Sequence, residues 1–465
     1  MYFCGACFAL VTIAMAVLAD YRAWGEIAAV AYGGGAAVCA GARWWQRRRG
    51  LPGRAVSFIR RAVLLAVMAG ALLVPLGAEL AWRANAGPGA HAQPEVAVIE
   101  RAGDRAATGQ DPYLAHPRSV GIAPASDRHS VDANTFFPYM PAMVIFGMAN
   151  ALAIPPELQD ARVALVAFTL VVAVAALLAS DATLARRGRI LQFLIVLPSG
   201  ALPMVTGGDD LPVLALMLLG VVLATKRRPV AAGIALGFAA SLKFTAWPLV
   251  VLLAFAASDQ AGRRARGRYV AAVVGVLAPV LAAGMSLSVS SFLENVVRFP
   301  LGLAHVKSPA ASPMIGQVFV SMFPQHKTLI TAGLLVIGAG IVLAVLVRYP
   351  PRTPAAAAAA AAFVLALATL LAPATRFGYF IYPTDLLVWA YVFSGAGLGV
   401  PAEIASLGPA PSRRLWHLTS LRPQSPPSTS NTLSSTELVG ATSLPPASAG
   451  VIDGFTGSTT TPTSQ

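Results

Sequence analysis

The chain has 465 residues, 56% of them apolar and 12% charged, with a mean hydropathy of +0.67. A soluble chain of this length needs far more charge to cover its surface, so the composition selects a membrane protein and excludes a soluble one. The net charge of +14 does not point to nucleic acid, because the cations stand in short runs between apolar segments, among them Arg47 to Arg49, Arg186 to Arg189, Lys226 to Arg228 and Arg263 to Arg268. That is how cytoplasmic loops are marked in inner-membrane proteins.

Twelve segments are long or apolar enough to cross or deeply enter a bilayer, which takes about 20 helical residues per span. They lie near 2–19, 25–42, 60–83, 160–184, 188–204, 209–225, 229–243, 245–258, 268–287, 327–347, 355–373 and 379–398. The first has no basic region ahead of it and is followed almost at once by another, so it reads as a retained span and not a signal peptide. It contains Cys4 and Cys7, a CxxC without a second ligand pair, which reads as small core residues and not as a metal or redox site. The basic run ending at Arg49 sets that side as cytoplasmic, so the chain emerges outside after residue 83. Arg186 and Arg187 must be inside again, which leaves one crossing for 160–184 and predicts that Phe136–Leu152 is a helix lying along the outer surface. Both termini then come out cytoplasmic. The Ser-, Thr- and Pro-rich chain from about 399 onward reads as a disordered tail.

Three regions face outward in this topology: a long loop over 84–159, the turn Thr206-Gly207-Gly208-Asp209-Asp210, and a loop over 288–326. In the long loop, Pro94 predicts a helix start with Glu95 in its first turn. Glu95 is then either a helix-start carboxylate or a functional acid. Asp209 and Asp210 follow a Gly-Gly turn; Asp209 either caps the next helix or lines a cavity where the preceding helix, interrupted by Pro198 and Pro203, breaks. Lys243, between two apolar runs, either snorkels to headgroups or binds an anion. Arg376, beside Phe377, Tyr379 and Tyr382, fits an interfacial aromatic belt and equally a phosphate clamp. Arg298, His305, Lys307 and His326 add possible polar contacts.

Carboxylates and cations thus gather on one face of the membrane. Sugar transfer from a lipid phosphate needs that combination, with a carboxylate base for the acceptor hydroxyl and charge stabilisation for the leaving phosphate.

The ordered set G-x-D-P-Y at Gly109–Tyr113, F-P-Y-x-P at Phe137–Pro141, G-G-D-D-L-P at Gly207–Pro212, R-R-P-V-A-A-G-I-A-L-G-F-A-A-S-L-K-F at Arg227–Phe244 and R-F-G-Y-F-I-Y-P at Arg376–Pro383 resembles glycosyltransferase family 87. Its actinobacterial members include polyprenol-phosphate-mannose-dependent mannosyltransferases. The resemblance runs from about 60 to 398; it divides the chain into two added spans and a basic loop at 1–59, a catalytic membrane domain at 60–398, and the tail at 399–465. It implies an all-α polytopic helical bundle of GT-C type, with about twelve transmembrane helices and amphipathic jaw helices in the long outer loop. Family members carry an acidic residue, typically Asp, early in that loop as catalytic base. Glu95 occupies the matching place, with Glu100 and Asp104 as further candidates.

On the same resemblance Lys243 and Arg376 bind the donor phosphate, and Asp209, Asp210, Tyr113, Tyr139, Tyr379 and Tyr382 line the substrate site. The implied reaction moves a sugar, mannose by default, with inversion, from a polyprenyl-phosphate carrier to a lipid or glycan acceptor. The expected partners are those substrates and membrane lipids. No Asp-rich cluster demands a metal, so neither metal nor cofactor is expected. A transporter or flippase of lipid-linked sugars and a non-catalytic envelope-synthesis scaffold are the alternatives; the absence of an internal repeat and the concentration of polar groups at the outer face speak against the first.

Overall fold

The computed structural model describes residues 1–394 apart from 51, 88–89, 115–132, 153, 305 and 307. The tail from 399, the middle of the long loop, and His305 and Lys307 lie outside the described residues. Helices dominate the rest, and among the described residues the β pairing is an isolated parallel bridge between Ala311 and Thr375.

A helix occupies each of the twelve apolar segments, but their lengths differ. Gly53–Ala86, Ala161–Ala179, Gly262–Met285, Pro324–Arg348 and Pro354–Leu371 are long and apolar enough to cross a bilayer. Leu184–Val196 and Pro198–Thr206, bent by 42° at their junction, make a sixth if they form one span. Tyr2–Met15, Leu211–Thr225, Pro229–Leu242 and Phe244–Ala257 are apolar but shorter. Among the described residues five or six helices are therefore long and apolar enough to cross, against the twelve segments read from the sequence. Proline and glycine account for the shortening: Pro198 opens one helix, the Gly207-Gly208 turn closes it, and Pro229 opens another. Cys4 and Cys7 are free and exposed on the first helix, so they are surface residues of the bundle and not core ones.

The loop helix begins where Pro94 predicts, as Pro94–Ala107, and buries Val96, Ile99 and Ala102 on one face. Phe136–Leu152, expected as one surface helix, is not one. It runs through Pro138 to Met140 without helix, then makes two 3-10 turns, Pro141–Phe146 and Met148–Ala151, parted at Gly147. Pro138 and Pro141 deny the backbone donors that a continuous helix needs. Gly103 and Gly147 bring the two segments into backbone contact; a Cβ on either would strike the backbone of the other segment.

Buried ions fasten this loop to the bundle. Arg83, near the end of Gly53–Ala86, grips Glu100 through two hydrogen bonds of 2.8 and 2.7 Å and donates to Asp160 at 2.5 Å. Arg162, fully buried, donates to Asp160 at 3.0 and 2.8 Å and to the carbonyls of His91 and Val205 at 2.7 and 3.0 Å. Such a set orients its members because each charge depends on the others to stay buried.

The first two helices pack into the same core as the rest of the bundle. Trp24 and Tyr32 of Ala19–Arg49 are fully buried. The Trp24 indole donates to the Ala71 carbonyl at 2.9 Å and the Tyr32 hydroxyl to the Val196 carbonyl at 2.6 Å.

Candidate functional site

Gln93 precedes the loop helix and Pro94 opens it, so Glu95 leaves the first turn close to the bundle. Its carboxylate pairs with the Arg376 guanidinium. Arg376 stands in extended backbone just after the Pro354–Leu371 helix. Its segment is strapped to the preceding loop: Ser312 N–H donates to the Thr375 carbonyl and Thr375 N–H to the Ala310 carbonyl, each at 2.9 Å, and Phe377 N–H donates to the Ser312 hydroxyl at 3.1 Å. Burial alone would lower the guanidinium pKa, but the Glu95 carboxylate outweighs it and raises it above the usual arginine value. Arg376 is thus a permanent cation paired with the Glu95 carboxylate.

Lys243 sits at a break in the helices, in extended backbone between Pro229–Leu242 and the turn that leads into Trp247–Met285. Its ammonium donates to Asp209 at 2.6 Å and to Asp210 at 2.5 Å, and it lies over the rings of Tyr139 and Tyr379 at 5.3 and 5.5 Å from their centroids. The Tyr382 hydroxyl donates to Asp210 at 2.7 Å. Lys243 therefore does not snorkel; its side chain is 11% exposed. Asp209 does not serve as a helix cap either: the cap position of Leu211–Thr225 falls to Asp210, whose side chain makes no cap hydrogen bond. Burial, and after it the Asp209 charge, pushes the Tyr139 hydroxyl well above the usual tyrosine value, so it stays protonated.

Two cavities meet at these charges and share Glu95, Tyr139, Lys243, Arg376 and Tyr379 as walls. The larger, of about 480 Å³, is the more polar of the two and reaches Tyr21, Gln93, Asp209, Asp210 and Ser312. The smaller, of about 220 Å³, is mainly apolar and is bordered by Val98, Pro138, Phe244 and the stacked rings of Phe136 and Phe299, whose centroids are 4.2 Å apart. A carboxylate and a guanidinium at the junction can serve two reactants at once, one from each lobe.

Of the residues singled out in the sequence, Glu95, Asp209, Asp210, Lys243, Arg376, Tyr139 and Tyr379 line this space, and Tyr382 stands behind it on Asp210. Tyr113 does not: it is buried against Phe137 and Phe292, and its hydroxyl donates to the Tyr139 carbonyl at 3.0 Å. It steadies a site residue from behind. Glu100 is taken up by Arg83 and by the Ala161 N–H, and Asp104 lies exposed; neither lines the cavities. Arg298 pairs with Glu294 at 2.9 Å and His326 is exposed. The sequence reading missed Tyr21, Phe136 and Phe299. Phe136 stands directly before the F-P-Y-x-P motif; nothing local to Tyr21 or Phe299 marks them.

No curated protein and no solved structure matches the chain. A family model does, over residues 137–373, just over half of the sequence. The matched stretch contains Tyr139, Asp209, Asp210 and Lys243 and stops short of Glu95 and Arg376 on either side. Its family consists of glycosyltransferases, which favours an enzyme over the transporter and the scaffold, and a helical membrane bundle with a charged double cavity suits sugar transfer between two substrates. This multi-pass membrane protein belongs to glycosyltransferase family 87.

Proposed function

We propose that the protein transfers a sugar, mannose by default, from a polyprenyl-phosphate carrier to a lipid or glycan acceptor at the outer face of the plasma membrane. The observation that carries this reading is the Glu95–Arg376 pair at the junction of a polar and an apolar lobe. The outer face follows from the basic runs, which assign the opposite ends of these helices to the cytoplasm.

The donor is a phosphodiester with one negative charge. Its phosphate competes with Glu95 for Arg376, the cation at the cavity that is half-open to solvent and not shared between two carboxylates. Glu95, released, accepts the proton of the acceptor hydroxyl. That oxygen attacks the anomeric carbon from the face opposite the phosphate, the carbon–oxygen bond to phosphate breaks, and polyprenyl phosphate departs with the electron pair. Direct displacement inverts the anomeric centre. The second negative charge that develops on the leaving phosphate falls beside Arg376, whose planar fork suits it. Asp209 and Asp210, steadied by Lys243 and Tyr382, accept hydrogen bonds from sugar hydroxyls, and Lys243 adds positive potential. Tyr139 and Tyr379 offer ring faces to the sugar.

The test is transfer in lipid nanodiscs from labelled polyprenyl-phosphate mannose to a lipid extract of the source membrane. Wild type is expected to form an inverted glycoside. Glu95→Gln is expected to turn over at least about 100-fold more slowly, as loss of a general base requires. The same variant frees Arg376 and should bind the carrier more tightly than wild type. Undiminished turnover by Glu95→Gln would remove it as the base; bound carrier with no product, from mannosyl, glucosyl or arabinosyl donors alike, would sink this donor class.

A further inference from the structure

The polar lobe has one wall from a part of the chain outside the family match. Tyr21 lies in the first turn of Ala19–Arg49, and Gln93 stands two residues before Glu95. Both line the larger cavity, with Asp209, Asp210 and Arg376. The Gln93 amide nitrogen donates to the Tyr21 hydroxyl and, at 2.9 Å, to the Thr206 hydroxyl, while the Gln93 N–H donates to the Thr206 carbonyl at 2.9 Å. Thr206 passes its own proton to the Leu202 carbonyl at 3.0 Å.

This chain fixes what the edge presents. The Tyr21 oxygen already accepts from Gln93, so its O–H is left to donate, to the neighbouring Thr206 hydroxyl or to a ligand in the cavity. Both amide hydrogens of Gln93 are used, so it offers its carbonyl oxygen as an acceptor. A donor and an acceptor held side by side complement a hydroxyl, which is both. Their position is not adjustable. Trp24 and Tyr32 anchor the Tyr21 helix to the bundle, and Gly207 backs the amide so closely that a Cβ there would sit 2.9 Å from Oε1 of Gln93.

We propose that Tyr21 and Gln93 read a ring hydroxyl of the transferred sugar, which makes the N-terminal helix pair part of the substrate site and a determinant of sugar choice. The proposal rests on the donor reading above, since it concerns the sugar that the donor carries. A site built to pair with a hydroxyl discriminates strongly against sugars that lack or misplace it, because its own buried groups are then left unpaired.

The experiment measures binding, so it does not depend on turnover. Affinities of the full chain in nanodiscs, without acceptor, are compared for polyprenyl-phosphate mannose, glucose and arabinose and for sugar-free polyprenyl phosphate. The readout is the ratio between the best sugar-bearing carrier and the bare one. Tyr21→Phe, which keeps the ring, is expected to lower that ratio about fivefold, the weight of one neutral hydrogen bond, while leaving affinity for the bare carrier unchanged. Gly207→Ala, which puts a Cβ 2.9 Å from the Gln93 amide oxygen, should displace the amide and lower the same ratio. A carrier lacking the recognised hydroxyl should no longer separate wild type from Tyr21→Phe. If wild type prefers a sugar-bearing carrier and both variants keep that preference in full, the recognition role is wrong while the donor class stands. If wild type itself binds every sugar-bearing carrier no better than the bare one, the donor reading fails and this inference with it.

Discussion

Lys243 illustrates how one side chain governs two neighbours. Asp209 and Asp210 are adjacent carboxylates with little exposure, and the ammonium between them offsets their mutual repulsion. Lys243→Ala should therefore do more than remove a cation: it leaves two adjacent carboxylates uncompensated next to the proposed place of the donor phosphate. Carrier affinity is expected to fall by tenfold or more, and Asp209→Asn in the same chain to restore part of it, since removing one partner of a buried pair costs about 3–5 kcal/mol and removing both costs less. A double-mutant cycle of carrier affinity, with thermal stability recorded beside it, checks this. Additive effects would place Lys243 outside the electrostatics of the site. The residue types were legible in the sequence, since a lysine on an outward-facing helix break and an Asp-Asp pair each stood out. Their partnership was not. Local sequence offered helix capping for Asp209 and snorkelling for Lys243, and only the packing of two helix breaks against each other decided otherwise.

At the scale of elements, the loop helix Pro94–Ala107 carries the candidate base, and its aim depends on what clamps its far side. Glu100, one and a half turns beyond Glu95, is locked by Arg83, which also holds Asp160. Arg83→Met should leave Glu100 and Asp160 short of their shared cation, with a destabilisation of about 3–5 kcal/mol for a broken buried ion set. Thermal unfolding of the purified protein measures it, and an unchanged midpoint would show that the loop is held by its apolar face alone. The start of this helix was readable because proline at a first turn acts locally. The shape of Phe136–Leu152 was misread, because its apolar run favours a helix while Pro138, Pro141 and Gly147 forbid one, and periodicity does not rank the two. Glycine meeting glycine, as Gly103 meets Gly147, leaves no trace in a single sequence.

For the whole molecule, composition was sufficient to establish a multi-pass membrane bundle, whereas the number of crossings was not, because breaks near the cavity produce helices too short to assign by length. Orientation is open to direct test. In a chain whose native Cys4, Cys7 and Cys39 have been replaced, a single cysteine at Gly109 should react with a membrane-impermeant maleimide on intact cells, and one at Arg48 only after permeabilisation. Reversal of that pattern would put the cavity in the cytoplasm and change the class of donor available to it. The helix Pro324–Arg348, apolar and almost wholly exposed, fits the same view of a bundle whose least buried member owes its place to the bilayer as much as to its neighbours.

The strap between Ser312 and Thr375 has a consequence in time as well as in space. Tyr21, Gln93 and Glu95 emerge from the ribosome early, while the segment that carries Arg376 emerges only when the last apolar helices are being made. Until that late segment docks on Ala310 and Ser312, the carboxylate has no guanidinium opposite it and the polar lobe lacks a wall. On the roles proposed for Glu95 and Arg376, a chain truncated before Arg376 is expected to be inert, and transfer to begin only after that late segment has docked.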